Sequence, residues 1–171
     1  MHMRGEPETM QKKPFARDVV KDVTQGLRRS IARARAAGVA KSQIILDPGI
    51  GFGKSFEQNY ELLANLPQLA KIGYPLMVGT SRKGFLGATV APDRKAQAIP
   101  AARLWPTAAT VTAAILNGAH IVRVHDVAEM LQVARTADRV LNSRIANQAR
   151  TCDVKVDYQG AGAASHRQPL L

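Results

Sequence analysis

The apolar residues of the N-terminal region recur every four positions, at the spacing of one face of an α-helix. The residues that share this face are Phe15, Val19, Val23, Leu27 and Ile31. Arginines fill the opposite face. The pattern predicts a first helix that starts after Pro14, runs to about residue 37 and stops at Gly38, because glycine often ends helices.

Three short apolar runs rich in β-branched residues follow, and each one predicts a buried strand. Their sequences are QIILDPG at 43–49, YPLMVG at 74–79 and AHIVRVHDV at 119–127. Helical patterns lie between and after these runs. The first of these helices is marked by Phe56, Leu62, Leu63, Leu66 and Leu69, with a break near Pro67. The next two are FLGATV at 85–90 and TAATVTAAILNG at 107–118. The last is marked by Val127, Met130, Leu131, Ala134 and Leu141. Alternating strands and helices predict an α/β fold with parallel strands.

Three parallel strands are few for a complete sheet, because both edges of the sheet stay unpaired. The opening residues MHMRG have loop character and no strand precedes them. We therefore expect the chain to be the C-terminal part of a larger domain, with its N-terminal strands missing. Residues 1–149 are predicted to form the partial domain, 91–103 a mobile loop and 150–171 a flexible tail.

Composition restricts the function classes. Of the 171 residues, 46% are hydrophobic, a fraction typical of globular proteins. No run of about 18 apolar residues predicts a membrane helix, and the N-terminus has no apolar core of a signal peptide. The single cysteine, Cys152, excludes an internal disulfide and a cysteine-cluster metal site. We therefore expect a cytoplasmic protein without membrane partners.

The net charge of +11 raises the question of a nucleic-acid partner. Residues 12–37 carry eight basic and two acidic side chains, which is more than half of that excess. Aromatic residues make up only 5% of the chain, so few side chains are available for base stacking. The charge therefore favours a solvated helix face, or an anionic small substrate, over a nucleic-acid-binding module. That module stays open as an alternative.

Residues with catalytic chemistry follow all three predicted strands. Asp47 ends the first strand, Ser81 to Lys83 follow the second, and Arg123, His125 and Asp126 end the third. Because the carboxyl ends of parallel strands face one side of a sheet, these residues are expected to converge on one ligand site.

The glycine-rich loop at 49–55, GIGFGKS, is a second candidate because it lies between a strand and a helix, as a P-loop does. The spacing differs from that motif: Pro48 occupies the position where the first glycine should stand. A nucleotide hydrolase with Lys54 as its phosphate ligand is therefore a weaker alternative.

Four segments, in this order and spacing, resemble dihydropteroate synthase, a (β/α)₈ barrel (TIM barrel) enzyme. They are MHMRGEPETMQ, DPGIGFGK, GTSRKGFLG and IVRVHDV, and the resemblance covers about residues 1–142. It implies condensation of 6-hydroxymethyl-7,8-dihydropterin pyrophosphate with p-aminobenzoate, which gives 7,8-dihydropteroate and pyrophosphate. It also implies a sulfonamide target in folate biosynthesis.

The resemblance implies a role for each matching residue. Asp47 accepts paired hydrogen bonds from the pterin, Lys83 donates to the acceptor edge of the pterin, and Gly51 and Gly79 allow close approach. Phe52, Ser81 and Gly84 are expected at the p-aminobenzoate site, and Arg123 and His125 at the pyrophosphate. Asp47 and Lys83 are the expected catalytic pair.

The resemblance also carries expectations about partners and departures from the family. Mg²⁺ is implied with the pyrophosphate, and its protein ligand is expected in the N-terminal part, so that this chain holds no metal ligand. A homodimer through the helices after the second and third strands is implied for the full-length protein. Gly84 replaces a serine common after the lysine, and Pro106 replaces a small residue. The chain by itself is expected to be an inactive fragment.

Overall fold

A computed structural model of the chain describes residues 1–6, 8–10, 12, 15–91 and 99–157, and for residues 100, 101 and 145–157 it describes the backbone alone. The helices are α1 Val19–Ala36, α2 Phe56–Ala64, α3 Leu66–Ala70, α4 Gly84–Val90, α5 Leu104–Leu116 and α6 Val127–Asp157. The strands are β1 Met77–Val78 and β2 Ile121–Val122. Two 3₁₀ turns, Lys41–Gln43 and Pro100–Arg103, complete the elements of the described part.

Four extended segments lie side by side at the centre of the fold. β1 and β2 are parallel, with Met77 opposite Ile121. The first predicted strand forms a single parallel bridge instead of a ladder, between Leu46 and Leu76. On its other side the His2 N–H donates to the Asp47 carbonyl at 2.9 Å. Two of the three predicted strands are therefore confirmed as paired strands, and the third is an extended segment with one bridge.

Helix α1 buries the predicted stripe. Val19, Val23 and Leu27 are fully buried. The helix begins later than the pattern predicts, because the side chain of Asp18 accepts a hydrogen bond from the Lys21 N–H at 2.8 Å and caps it. Phe15 thus precedes the helix. Pro14, the predicted start, lies outside the described residues.

The second predicted helix is interrupted, as expected. α2 ends at Ala64 and α3 starts at Leu66, with Pro67 in its first turn, where a proline is tolerated. Leu62, Leu66 and Leu69 are completely buried and pack in one core with α1, Leu76 and Phe85. Ile50 of the glycine-rich loop belongs to the same core.

Helices α5 and α6 form a second core, in which Val111, Ile115, Met130 and Ala137 are buried. Two of the apolar residues that mark the last predicted helix are exposed: Val127 by 65% and Leu131 by 48%. The expected mobile loop 91–103 ends in the 3₁₀ turn Pro100–Arg103, and residues 92–98 lie outside the described part. α6 continues to Asp157, into the segment predicted as a tail, whose residues 158–171 are not described.

Candidate active site

The three groups of polar residues predicted at strand ends lie on adjacent segments. The Leu46 N–H donates to the Pro75 carbonyl and the Arg123 N–H donates to the Val78 carbonyl, both at 2.9 Å. Asp47, the loop after β1 and Arg123 therefore follow neighbouring parallel segments. Their charges interact: Asp47 raises the pKa of Lys83, and Arg123 lowers it. The meeting of the three groups at one ligand site stays a prediction.

Lys83 precedes α4 and reaches across to the glycine-rich loop. Its ammonium donates to the Ile50 carbonyl, and it lies 4.4 Å from the centre of the Phe52 ring, a cation–π distance. Burial lowers the pKa of Lys83 from 10.5 to about 8. A Cβ on Gly51 would lie 2.9 Å from the Lys83 side chain, and Gly51 has a φ of +81°, so a larger residue there would displace the lysine.

Asp47 is half-buried at the start of the same loop. Its Oδ1 accepts a hydrogen bond from the Gly49 N–H at 2.7 Å. A carboxylate has acceptor sites on both oxygens. Within the part of the chain that the structure describes, no hydrogen bond to Oδ2 is formed, so this oxygen can accept from a ligand.

The glycines of the loop are required by the N-terminal segment that packs against it. A Cβ on Gly49 would lie 1.8 Å from the His2 carbonyl oxygen, and a Cβ on Gly53 2.1 Å from that of Arg4. Both glycines also have positive φ values. The loop is therefore shaped by backbone packing, which accounts for the glycines without any phosphate ligand.

Lys54 is a buried structural residue, which removes the basis for the nucleotide-hydrolase alternative. It is only 2% exposed, and its ammonium donates to the Phe52 carbonyl at 2.9 Å and to His2 Nδ1 at 3.0 Å. Burial lowers the pKa of Lys54 to about 8, and burial together with Lys54 lowers that of His2 to about 4. His2 Nε2 lies 3.6 Å from Asp22. A P-loop lysine must instead face the nucleotide.

Asn59 on α2 holds the loop in place, and the sequence analysis did not select it. The residue is 1% exposed. Its Oδ1 accepts from the Gly51 N–H at 2.6 Å, while its Nδ2 donates to the Ser55 carbonyl at 2.7 Å. One side chain thus connects both halves of the loop. The capping box formed by Ser55 and Gln58 could have indicated that this loop is tied to α2.

A cleft of about 670 Å³ opens between the glycine-rich loop and α4. It is mostly apolar, with two lysines. The residues that line it are Phe15, Gly51, Phe52, Lys54, Ser55, Phe56, Asn59, Lys83, Gly84 and Phe85. Of the predicted site residues, Gly51, Phe52, Lys83 and Gly84 are therefore in the cleft, whereas Asp47, Gly79, Ser81, Arg123 and His125 are not part of its lining.

Gly79 is not required by packing, since a Cβ there would make ordinary contacts of 3.7 Å with Arg123. Arg123 and His125 are both exposed and alternate with half-buried residues along β2 and beyond. They lie on one face, as predicted. Ser81 differs from expectation: it is 5% exposed, and its Oγ is 2.9 Å from His125 Nδ1.

The loops after β1 and β2 are joined by a second contact. Arg82 pairs with Asp126 through two hydrogen bonds, which holds the pKa of Asp126 below its usual value. Arg82 has a positive φ of 57°. Its carbonyl accepts from the Arg103 side chain at 2.8 Å, and its N–H donates to Thr107 Oγ1. The two loops therefore keep a fixed relative position.

The described residues offer no metal site, because no three His, Cys, Asp or Glu side chains among them lie close enough to share an ion. No helix in the described ranges has the length and apolar character needed to cross a membrane.

Comparison with known proteins identifies the family. The family model "Pterin binding enzyme" matches residues 1–125. The chain belongs to the pterin binding enzyme family. The dihydropteroate synthase of Synechocystis is 48% identical over 139 residues, which are 81% of this chain and 46% of that protein.

Two solved dihydropteroate synthases have the same fold over the matched part. The Yersinia pestis enzyme, in a sulfonamide drug complex, superposes with a TM-score of 0.77 at 37% identity over 83% of this chain and 50% of its own. The Xanthomonas albilineans enzyme with 4-aminobenzoic acid superposes with a TM-score of 0.72 at 35% identity. The match covers 81% of this chain and 47% of the chain of that enzyme. The predicted class, part of a (β/α)₈ barrel, is confirmed. The chain spans about half the length of the curated relatives it matches.

Proposed function

We propose that this chain supplies half of the active site of a dihydropteroate synthase, which transfers a pterin-methyl group from pyrophosphate to the amine of p-aminobenzoate. The observation that carries the proposal is that Lys83 lines an apolar cleft while Asp47, Lys83 and Arg123 follow neighbouring parallel segments. The reaction breaks the bond between the methylene carbon and pyrophosphate oxygen, forms a carbon–nitrogen bond and releases the amine proton.

In this proposal Asp47 and Lys83 bind the two edges of the pterin. The Asp47 carboxylate accepts from the 2-amino group and ring N–H, since two parallel donors match two oxygens. Lys83 donates to the acceptor edge, and Gly51 and Gly79 leave room for the ring. A charged Lys83 disfavours further positive charge on the pterin until pyrophosphate leaves.

Arg123 and His125 bind the leaving pyrophosphate, the arginine as a planar fork of donors. p-Aminobenzoate binds in the cleft, where Phe52 packs on its ring near Gly84. The Xanthomonas enzyme with 4-aminobenzoic acid and the Yersinia sulfonamide complex support an arylamine-binding cleft and sulfonamide sensitivity.

We also propose that Mg²⁺ accompanies the pyrophosphate. Among the described residues, no three His, Cys, Asp or Glu side chains lie close enough together to hold a Mg²⁺. The ion is therefore assigned to the substrate and to residues outside this chain. The cytoplasmic location expected from the sequence stays a prediction.

The test protein is the assembled barrel, a chimera in which this chain replaces the matching segment of the Synechocystis dihydropteroate synthase. It is purified from a host that lacks its own dihydropteroate synthase and is assayed for 7,8-dihydropteroate and pyrophosphate. We expect both products in equal amounts, and inhibition by a sulfonamide. A folded, monodisperse barrel that binds neither substrate would contradict the proposed function.

In the assembled barrel, Arg123→Ala is expected to weaken pyrophosphate binding about tenfold or more and to leave binding of a pterin without pyrophosphate nearly unchanged. The reason is that charge-assisted hydrogen bonds to a phosphate are about twice as strong as neutral ones. Calorimetric titration with each ligand measures both effects. An equal loss for the two ligands would contradict the assignment.

Asn59→Ala is expected to lower the free energy of unfolding of the assembled barrel by about 1–3 kcal/mol, because it leaves buried partners of the amide unsatisfied. The KM for p-aminobenzoate should rise, since the loop that carries Phe52 loses its anchor. Urea unfolding and steady-state kinetics measure the two effects. The exposed Asn142→Ala on α6 is the matched control, and equal behaviour of both variants would refute the anchoring role.

The homodimer implied by the family resemblance is proposed to use the outer surface of α5 and α6. Met130 is buried between these helices, so the apolar residues available for a contact are exposed ones such as Trp105, Leu131 and Val140. We expect Leu131→Asp to shift the assembled barrel from dimer to monomer at micromolar concentration in analytical ultracentrifugation, because it places a charge in an apolar contact. A wild-type barrel that sediments as a monomer would contradict this.

A further inference from the structure

The hydroxyl of Ser81 occupies a buried position between the loops after β1 and β2. It accepts a hydrogen bond from the His125 backbone N–H at 3.1 Å and lies 2.9 Å from Nδ1 of the same residue. Ser81 is 5% exposed, so water has little access to it. The His125 side chain is exposed apart from this contact.

The position of the hydroxyl proton follows from the available partners. Ser81 has one proton to donate. In the part of the chain described by the structure, His125 Nδ1 is the only acceptor within hydrogen-bond distance of that hydroxyl, because its other contact is a donor. If Nδ1 carried a proton, the buried hydroxyl would face two donors and its own proton would have no acceptor. If Nδ1 carries no proton, it accepts the hydroxyl proton, and both the hydroxyl and the ring nitrogen have a hydrogen-bond partner.

We propose that Ser81 is a positioning residue that holds the neutral His125 side chain as its Nε2–H tautomer, so that Nε2 donates a hydrogen bond to the pyrophosphate of the substrate. This inference rests on the proposed function for the identity of the anion. The pair of contacts to the backbone and to the ring also fixes the orientation of the imidazole relative to β2.

The loop that carries Ser81 is itself held firmly enough for this role. The neighbouring Arg82 pairs with Asp126, directly after His125. The Arg82 carbonyl and N–H contact Arg103 and Thr107 near the start of α5. A serine on a mobile loop would not select a tautomer, whereas one fixed to both loops does.

Two other histidines serve as internal references. His120 Nδ1 accepts from the Leu76 N–H at 3.3 Å, and His2 Nδ1 contacts the Lys54 ammonium, so both should also be Nε2–H tautomers. Neither contacts Ser81. A change confined to His125 is therefore attributable to the lost hydroxyl.

The test is nitrogen-15 NMR of the histidine-labelled assembled barrel at a pH where the imidazole is neutral. His125→Gln assigns the signal. We expect a single Nε2–H tautomer in the wild type and a mixture of both tautomers in Ser81→Ala. Ser81→Thr, which keeps the hydroxyl, should restore the wild-type signal. The exposed Ser143→Ala is the matched control.

Titration of the same proteins with inorganic pyrophosphate completes the test. We expect Ser81→Ala to bind about tenfold more weakly and Ser81→Thr to bind within about threefold of wild type. A wild-type His125 with its proton on Nδ1, or an unchanged tautomer in Ser81→Ala, would overturn the proposal. A tautomer change without any pyrophosphate binding by the wild type would instead contradict the proposed function, so the two failures are distinguishable.

Discussion

Replacing Lys83 with alanine in the assembled barrel is expected to lower kcat/KM for the pterin substrate by roughly 10- to 150-fold. The range corresponds to the loss of one charge-assisted hydrogen bond in a closed site, about 1.5–3 kcal/mol. The ammonium is half-buried, interacts with Asp47 and lies over the Phe52 ring. No other lysine in the described part of the chain combines these contacts.

Lys83→Met separates the charge from the packing. Methionine keeps an apolar chain over Phe52 but cannot donate to the pterin or to the Ile50 carbonyl. We therefore expect Lys83→Met to lose turnover as fully as Lys83→Ala. Lys71→Ala, at an exposed position after α3, is the control and should behave as wild type. Near-normal turnover in Lys83→Met would show that packing, and not charge, is what Lys83 provides.

The pH dependence gives Lys83 a second signature. Its pKa is about 8 in the folded chain, against 10.5 ordinarily, because burial disfavours the charged form. The unfolded chain thus holds more protons between pH 8 and 10.5, and stability should rise with pH across that interval. Turnover should fall over the same interval, since the charged lysine is lost. Lys54 also has a pKa of about 8 in the folded chain and contributes to the same rise in stability with pH. Lys83→Met should remove only the contribution of Lys83.

The strand-end chemistry could be predicted from sequence because it depends on local order. Each polar residue directly follows a strand-like run, and parallel strands bring their carboxyl ends together, so the position of Asp47, Lys83 and Arg123 after neighbouring segments required no knowledge of side-chain packing. The stripe of Val19, Val23 and Leu27 was predictable for the same reason. The start of helix α1 was not predictable, because the pattern of apolar residues extends back to Phe15, whereas the Asp18 cap sets the first residue of the helix.

The contacts that support the site could not be predicted, because they join positions far apart in the chain. Ser81 and His125 are 44 residues apart, and His2 and Lys54 are 52 apart. Short-range patterns hold no information about such pairs. The glycines of the loop show this best: their position between a strand and a helix suggested a phosphate-binding loop, whereas the carbonyls of His2 and Arg4 are what leave no room for a side chain at Gly49 and Gly53.

The face of the sheet that carries the site is incomplete in residues 1–171 alone. Ile45 is 51% exposed and Ile121 38% exposed, although both belong to segments of the central sheet. In a closed barrel, inward-facing strand residues pack in layers against those of other strands. Here Arg123 and His125 share the open face of Ile121. Exposure of this sheet face is therefore expected to lower the stability of the chain and to weaken its binding of substrate.

Residues 1–171 expressed alone are therefore expected to aggregate or self-associate and to form no dihydropteroate. A few hundred Å² of exposed apolar surface costs several kcal/mol at roughly 25 cal/mol per Å², which is comparable to the whole stability of a small domain. Unpaired strand edges add a route to association. Catalysis is expected to fail separately, because the pterin contacts proposed for Asp47 and Lys83 come from one side only. Size-exclusion chromatography, a thermal melt and a product assay, run beside the assembled barrel, measure all three properties. A monomer with a cooperative melt and measurable turnover would show that this half of the site is sufficient.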